Sequence, residues 1–108
     1  MTGVSLFVYG SLLSETRLSA VTGRRFPRRP ARLDGFERIQ PAQGYPYLVP
    51  KPGCHVDGLL VDDIDAASLR KLDAYEDEGR LYLRQPVWVS VGDERVAAET
   101  YVGNVDAR

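Results

Sequence analysis

The chain has 108 residues, of which 44% are hydrophobic and 27% are charged, and its formal net charge is −1. This length allows one hydrophobic core, so we expect a single domain over residues 1–108 without a separate cofactor domain. No apolar run approaches the roughly 20 residues needed to cross a bilayer. The balanced charge provides no overall attraction to nucleic acid or anionic lipid. We therefore expect neither a membrane nor a nucleic-acid partner.

The N-terminal segment and the cysteine content bear on location. Met1-Thr2-Gly3 leads directly into an apolar run, without the successive zones of a secretory signal. The single cysteine, Cys54, cannot form an internal disulfide, which agrees with a reducing compartment. These features predict a cytoplasmic protein.

The first elements of the chain are a strand and a short helix. Apart from Ser5, residues 4–9 are β-branched, aromatic and large apolar types that stop at Gly10, which predicts a buried strand ending in a tight turn. Ser14 is suited to cap a helix that runs through Val21, and Gly23 is suited to end it in a left-handed conformation.

An arginine-rich segment follows this helix. It could contact an anionic partner, but only Phe26 offers a ring for base stacking. We interpret the segment as a solvated loop. Its arginines are Arg24, Arg25, Arg28, Arg29 and Arg32.

The middle of the chain predicts interrupted strands. Residues 31–40 have an irregular apolar pattern in which Gly35 suggests a bulge or a bend. Residues 45–50 are aromatic but contain two prolines, which favours an edge strand or a loop that could line a pocket. Residues 55–61 predict a further strand.

The second half predicts one helix and one hairpin. Asp63 or Asp65 can cap a helix whose apolar side carries Leu69, Leu72 and Tyr75. Two strands then flank a tight turn near Gly92. Five or six strands and two helices in this order favour an α+β fold with a small, mostly antiparallel, barrel-like sheet.

Four carboxylates gather at the end of the second predicted helix: Asp73, Glu76, Asp77 and Glu78. A helix C-terminus favours cations, and both this dipole and the neighbouring negative charges raise the pKa of a carboxyl group. A raised pKa suits a general base or acid. Acidic runs at helix ends are also often solvated surface, so this feature alone leaves both interpretations open.

The turn Tyr9-Gly10-Ser11-Leu12 links the first strand to a helix. Backbone N–H groups in such a turn can converge on a carboxylate or on a developing oxyanion. An ordinary turn after a strand is the alternative interpretation.

Together these features resemble the γ-glutamyl cyclotransferase-like superfamily, which includes AIG2-like and γ-glutamylamine cyclotransferase proteins. The order and separation of the matching motifs cover nearly the whole chain. The motifs are Val8-Tyr9-Gly10-Ser11-Leu12, Leu72-Asp73-Ala74-Tyr75-Glu76 and Tyr82-Leu83-Arg84, with Tyr45-Pro46 between the first two and Tyr101 on a late strand.

The resemblance implies a reaction and a division of labour. In this family the α-amino group of a γ-glutamyl compound attacks its own γ-carbonyl, which releases 5-oxoproline and a free amine without a metal or an organic cofactor. Glu76 is then the catalytic residue, which removes a proton from the α-ammonium group and returns it to the leaving amine. The implied fold has a cavity into which Glu76 and residues 9–12 point.

The resemblance also implies a set of substrate-binding residues. The tyrosines would supply walls or hydroxyl groups, with aromatic core as the alternative. Arg84 would hold a carboxylate of the substrate or of the acidic cluster, with a structural ion pair as the alternative. The full set is Tyr9, Gly10, Ser11, Leu12, Tyr45, Tyr82, Arg84 and Tyr101.

Other chemistries fit the sequence poorly. Cys54 and His55 are adjacent in a predicted strand, so their side chains point to opposite faces and cannot readily pair. Ser11 lacks the glycine-flanked nucleophile motif. We expect no metal, although an all-carboxylate site for a hard cation stays open. A non-catalytic module that binds a small amino-acid ligand is the alternative from another functional class.

Overall fold

A computed structural model describes residues 3–104 of the chain. Neither α-helix within these residues has the length and apolar character needed to cross a bilayer. The elements in chain order are strand β1 (Val4–Val8), a 3₁₀ turn (Ser11–Leu13), helix α1 (Glu15–Thr22), strands β2 (Arg28–Ile39) and β3 (Tyr47–Ile64), helix α2 (Ala66–Glu76), and strands β4 (Tyr82–Val91) and β5 (Glu94–Gly103).

The five strands close into a barrel in the order β1-β3-β2-β4-β5. Four of the five neighbouring pairs are antiparallel, and the closing pair, β1 with β5, is parallel. The α+β class and the mostly antiparallel sheet are therefore confirmed.

Strand β3 joins two segments that the sequence predicts as separate. Residues 45–50 and 55–61 were expected to be distinct, but from Tyr47 onward both belong to β3 and pair with β2. The expected separation is wrong, because Pro50 is exposed on the strand and its missing N–H group is tolerated there. The expected edge strand is confirmed, since residues 47–50 pair with β2 and the pairing of β3 with β1 begins only at Leu59. The expected bulge at Gly35 is confirmed, since the register shifts there and its φ is 84°.

The arginine-rich segment is only partly a loop, so its interpretation as a solvated loop is corrected. Strand β2 begins at Arg28 and includes two further arginines of the segment. Alternation along the strand buries Ala31 and Leu33 and exposes Arg32, whereas Arg29, on the same side as Ala31, is half-buried. The Arg29 Nε donates a hydrogen bond to Asp62 Oδ2 on β3 at 2.9 Å.

Strand β1 separates two buried clusters because successive side chains point to opposite faces. Leu6 and Val8 pack with the helices, in a cluster that includes Leu72. Phe7 belongs to the cluster inside the barrel, together with Leu60. Buried on both faces, β1 therefore ends at a fixed position between the barrel and the helices.

The helix ends agree with the predicted caps and fix the position of Glu76. The side chains of Ser14 and Asp65 accept backbone N–H groups at the starts of α1 and α2. Helix α1 ends at Gly23, which has φ of 77°. Helix α2 ends at Asp77, which adopts the left-handed conformation with φ of 56°, so Glu76 is its last helical residue.

Candidate active site

A cavity of about 200 Å³ lies where the end of β1 meets the end of α2. It brings together all but one of the site residues expected from the sequence: Tyr9, Gly10, Ser11, Leu12, Tyr45, Glu76, Tyr82 and Tyr101. The cavity also includes Pro46, from the segment expected to line a pocket, and Asp77, from the acidic cluster. The other lining residues had not been assigned to a site: Phe7, Val8, Arg17, Tyr75 and Leu81.

The Glu76 carboxylate is half-buried and makes no hydrogen bond or ion pair within residues 3–104. Burial raises its pKa to about 7. The direction agrees with the sequence expectation, but the cause differs. Arg84 binds Asp73 and Arg80 binds Asp77, so two of the neighbouring negative charges are compensated, and removal of Glu76 from water raises its pKa.

Asp73 lies one helical turn before Glu76 and is fully engaged. Arg84 donates two hydrogen bonds to the Asp73 carboxylate, from Nε at 2.9 Å and from Nη2 at 3.1 Å. The Tyr101 hydroxyl donates a third at 2.7 Å. Burial and then this bond raise the pKa of Tyr101 well above its usual range. The bond to Asp73 is also the main cause that raises the pKa of Arg84.

Arg84 is the one expected substrate-binding residue that does not line the cavity. Its guanidinium is shared between Asp73 and Glu99, on the preceding helix and on the adjacent strand β5. Of the interpretations left open, the structure favours a structural ion pair that includes the acidic cluster. A direct contact of Arg84 with substrate is not supported.

The turn after β1 is held by neighbouring polar groups. The Tyr9 hydroxyl donates to the carbonyl of Tyr101 at 2.5 Å, and Arg38 Nε donates to the carbonyl of Tyr9 at 3.1 Å. The first hydrogen bond of the 3₁₀ turn joins Leu13 N to Gly10 O, at 3.0 Å. The N–H groups of the two residues between them therefore have no acceptor inside the turn.

A polar chain connects this turn to both helices at the mouth of the cavity. Ser11 Oγ and the Tyr75 hydroxyl are 2.8 Å apart, and Arg17 Nη1 donates to the same hydroxyl at 2.9 Å. Arg17 comes from α1, whereas Tyr75 precedes Glu76 on α2. Two helices and the turn thus meet at one hydroxyl group.

The opposite wall is formed by tyrosines and a loop. Tyr82 is buried, and its hydroxyl donates to the carbonyl of Pro46 at 2.8 Å. This contact holds the loop before β3 against the cavity. Tyr45 lies on the same loop but is 70% exposed, so it borders the opening and does not belong to the core.

Comparison with known proteins identifies the family. A sequence model of the family described as gamma-glutamyl cyclotransferase, AIG2-like, matches residues 6–108. The chain belongs to this family. It is 33% identical over 102 residues to Protein AIG2 C of Arabidopsis thaliana, covering 91% of this chain and 60% of that protein. It thus spans about three fifths of the length of that AIG2-like relative.

Solved structures give the same assignment at the level of the fold. A solution structure of an Arabidopsis thaliana protein matches with a TM-score of 0.88 at 28% identity, covering 100% of this chain and 73% of that one. A structure named gamma-glutamyl cyclotransferase matches with a TM-score of 0.77 at 20% identity, covering 94% and 66%. The second likeness shows that the AIG2-like chain has a cyclotransferase-like fold.

Tyr75 and Arg17, whose polar groups meet at the mouth of the AIG2-like cavity, were missed by sequence reasoning. A signal was present for Tyr75, which lies inside the motif that contains Glu76. Nothing in the local pattern separates Arg17 from other arginines on a helix surface, because its role depends on contacts across the fold. Within residues 3–104, no group of three or more His, Cys, Asp or Glu side chains is placed to hold a metal ion.

Proposed function

We propose that the chain is a γ-glutamyl cyclotransferase-like enzyme that converts a γ-glutamyl amine or γ-glutamyl amino acid into 5-oxoproline and the free amine. Glu76 acts as general base and then as general acid. The observation that carries the proposal is the half-buried Glu76 carboxylate, which has a raised pKa and shares a cavity with residues 9–12.

The reaction is balanced with this one carboxylate. Glu76 takes a proton from the substrate α-ammonium group, and the freed nitrogen attacks the γ-carbonyl carbon of the same molecule. A carbon–nitrogen bond forms and the carbonyl oxygen becomes an oxyanion. The oxyanion then collapses, the original amide bond breaks, and the leaving amine takes the proton from Glu76. The ring nitrogen passes its second proton to the now ionised Glu76, which returns that proton to the free amine as an ammonium ion forms.

The pKa of about 7 suits both proton transfers. Proton-transfer efficiency is greatest when the pKa of the catalytic group lies near the working pH. A carboxylate in an ion pair would hold protons too weakly to return one to the leaving amine. Glu76 has no such partner among the described residues, so its proton affinity is set by burial.

The turn after β1 supplies the candidate stabilisation of the oxyanion. The N–H groups of Ser11 and Leu12 have no acceptor inside their turn, and both residues line the cavity. Fixed backbone dipoles of this kind stabilise charge that develops in a transition state. The Tyr9 and Arg38 contacts keep the turn in place during the reaction.

The proposal is tested by measuring 5-oxoproline release from a panel of γ-glutamyl amines and γ-glutamyl amino acids. We expect Glu76→Gln to lower kcat by about 10²- to 10⁴-fold, the usual contribution of general acid–base catalysis. Glu94→Gln is the matched control, because Glu94 is exposed and lies outside the cavity. Equal turnover by Glu76→Gln and the wild type would move the proton transfer to another group.

The pH profile provides a second readout. A base acts in its ionised form, so kcat/KM should rise with pH and level off above about pH 7. This rise should be absent from the residual activity of Glu76→Gln. A wild type that binds the panel without turning any member over would instead be a non-catalytic binding module.

A further inference from the structure

The charges around the cavity are unevenly compensated. Among its lining residues that the structure describes, Arg17 is the only cation, and Glu76 and Asp77 are the anions. Asp77 is bound by Arg80, whose Nε lies 2.6 Å from its Oδ2. Arg17 takes part in no ion pair within residues 3–104. The mouth of the cavity therefore presents an uncompensated guanidinium group.

Arg17 is held in place by a neutral group. Its Nη1 donates to the Tyr75 hydroxyl, which also contacts Ser11 Oγ. The contact fixes one edge of the guanidinium and leaves its other N–H groups for a ligand. A planar guanidinium of this kind matches the two oxygens of a carboxylate.

We propose that Arg17 binds the carboxylate of the leaving amino acid, so that the chain prefers γ-glutamyl amino acids to γ-glutamyl amines that lack this carboxylate. The inference rests on the proposed function and names its substrate class. Arg17 is assigned here as a specificity-determining residue, outside the proton transfer itself.

The positions of Arg17 and Glu76 favour the leaving group over the glutamyl part of the substrate. Glu76 is half-buried and must meet the α-ammonium group, which places the glutamyl part inside the cavity. Arg17 is exposed at the mouth, where the leaving group has to emerge. Burial is the cause of the raised pKa of Glu76, and Arg17 does not offset it, as expected if the two groups serve different parts of the substrate.

The test uses two substrates that differ by one carboxylate, γ-glutamylalanine and γ-glutamylethylamine. For the wild type we expect kcat/KM to favour γ-glutamylalanine by about tenfold or more, the size of one hydrogen bond to a charged group. Arg17→Gln should remove this preference, mainly by raising KM for γ-glutamylalanine, and should lower kcat/KM for γ-glutamylethylamine much less. Arg17→Lys should retain part of the preference, since lysine keeps the positive charge but lacks the planar guanidinium that can bind both carboxylate oxygens.

Arg70→Gln is the matched control, because Arg70 is an exposed arginine of α2 outside the cavity. It should keep the wild-type ratio of the two substrates. The inference is overturned if Arg17→Gln slows both substrates equally, which would assign Arg17 to the glutamyl carboxylate, or if it slows neither.

Failure of the proposed function can be told apart from failure of this inference. If the wild type releases no 5-oxoproline from any compound, the proposed function fails. Calorimetric titration of both compounds into Glu76→Gln, with and without Arg17→Gln, then still decides the inference. A Kd ratio of about tenfold that disappears with Arg17→Gln supports it, and equal Kd values overturn it.

Discussion

Two carboxylates one turn apart on α2 have opposite environments. Asp73 accepts three hydrogen bonds from Arg84 and Tyr101. Glu76 accepts none from the residues that the structure describes and is held by burial alone. The Asp73 carboxylate therefore has a structural role, whereas the Glu76 carboxylate can take up and release a proton without breaking a hydrogen bond or an ion pair to the described residues.

The network around Asp73 helps to position Glu76. Arg84 lies on β4, and both Glu99 and Tyr101 lie on β5, so the network around Asp73 ties the last turn of α2 to two barrel strands. Since Glu76 is the final residue of that turn, its position depends on the network. Replacing either Asp73 or Glu76 therefore tests whether their two environments have different effects on stability.

Breaking the network at its centre should have the largest effect. Asp73→Asn removes the charge that Arg84 and Tyr101 share, and we expect a loss of about 3 kcal/mol in the free energy of unfolding, as for breaking a partly buried ion pair. Urea unfolding would measure it. Asp93→Asn, in the exposed hairpin turn, is the control. A loss no greater than that of the control would show that the network does not stabilise the fold.

Neutralising Glu76 should instead increase the free energy of unfolding. A carboxyl whose folded-state pKa is raised loses stability as pH rises from its unfolded value, 4.5, to about 7. Glu76→Gln should therefore be more stable than the wild type by about 2 kcal/mol at pH 8, after allowance for partial exposure.

The difference should vanish below pH 4, where Glu76 is protonated in both the folded and the unfolded state. Unfolding curves at pH 4 and pH 8, with Glu94→Gln as control, would measure it. A pH-independent difference would contradict the burial of an ionising Glu76. A gain in stability with a loss of turnover would mark the residue as one kept for function.

Much of the fold could be predicted because its signals are local. The caps at Ser14 and Asp65 follow from side chains that accept nearby N–H groups, and the turn near Gly92 follows from hairpin chemistry. The length of β3 could not be predicted, because its two paired parts, residues 47–50 and 55–61, are held in one strand by β2, far away in the sequence, across a shift in register opposite Gly35.

The candidate site could also be predicted only where its signals are local in the sequence. Glu76 and residues 9–12 stand out from motif and spacing, and the raised pKa of Glu76 was expected from its acidic neighbours. Its actual cause is burial, which depends on how the elements of the fold pack around Glu76. The same holds for Arg84, whose role depends on which carboxylates the fold brings to it.

The smallest expected effect comes from removing one of the three hydrogen bonds that the Asp73 carboxylate accepts. Tyr101→Phe deletes the hydroxyl that donates to Asp73 and leaves both Arg84 bonds in place. We expect a loss of about 1 kcal/mol in unfolding free energy, with Tyr45→Phe, an exposed tyrosine, as control. Combined with Asp73→Asn, the Tyr101→Phe change should cost almost nothing further, because its partner charge is already gone. Additive losses would mean that the two residues act independently, and Asp73 would then owe its fixed position to Arg84 alone.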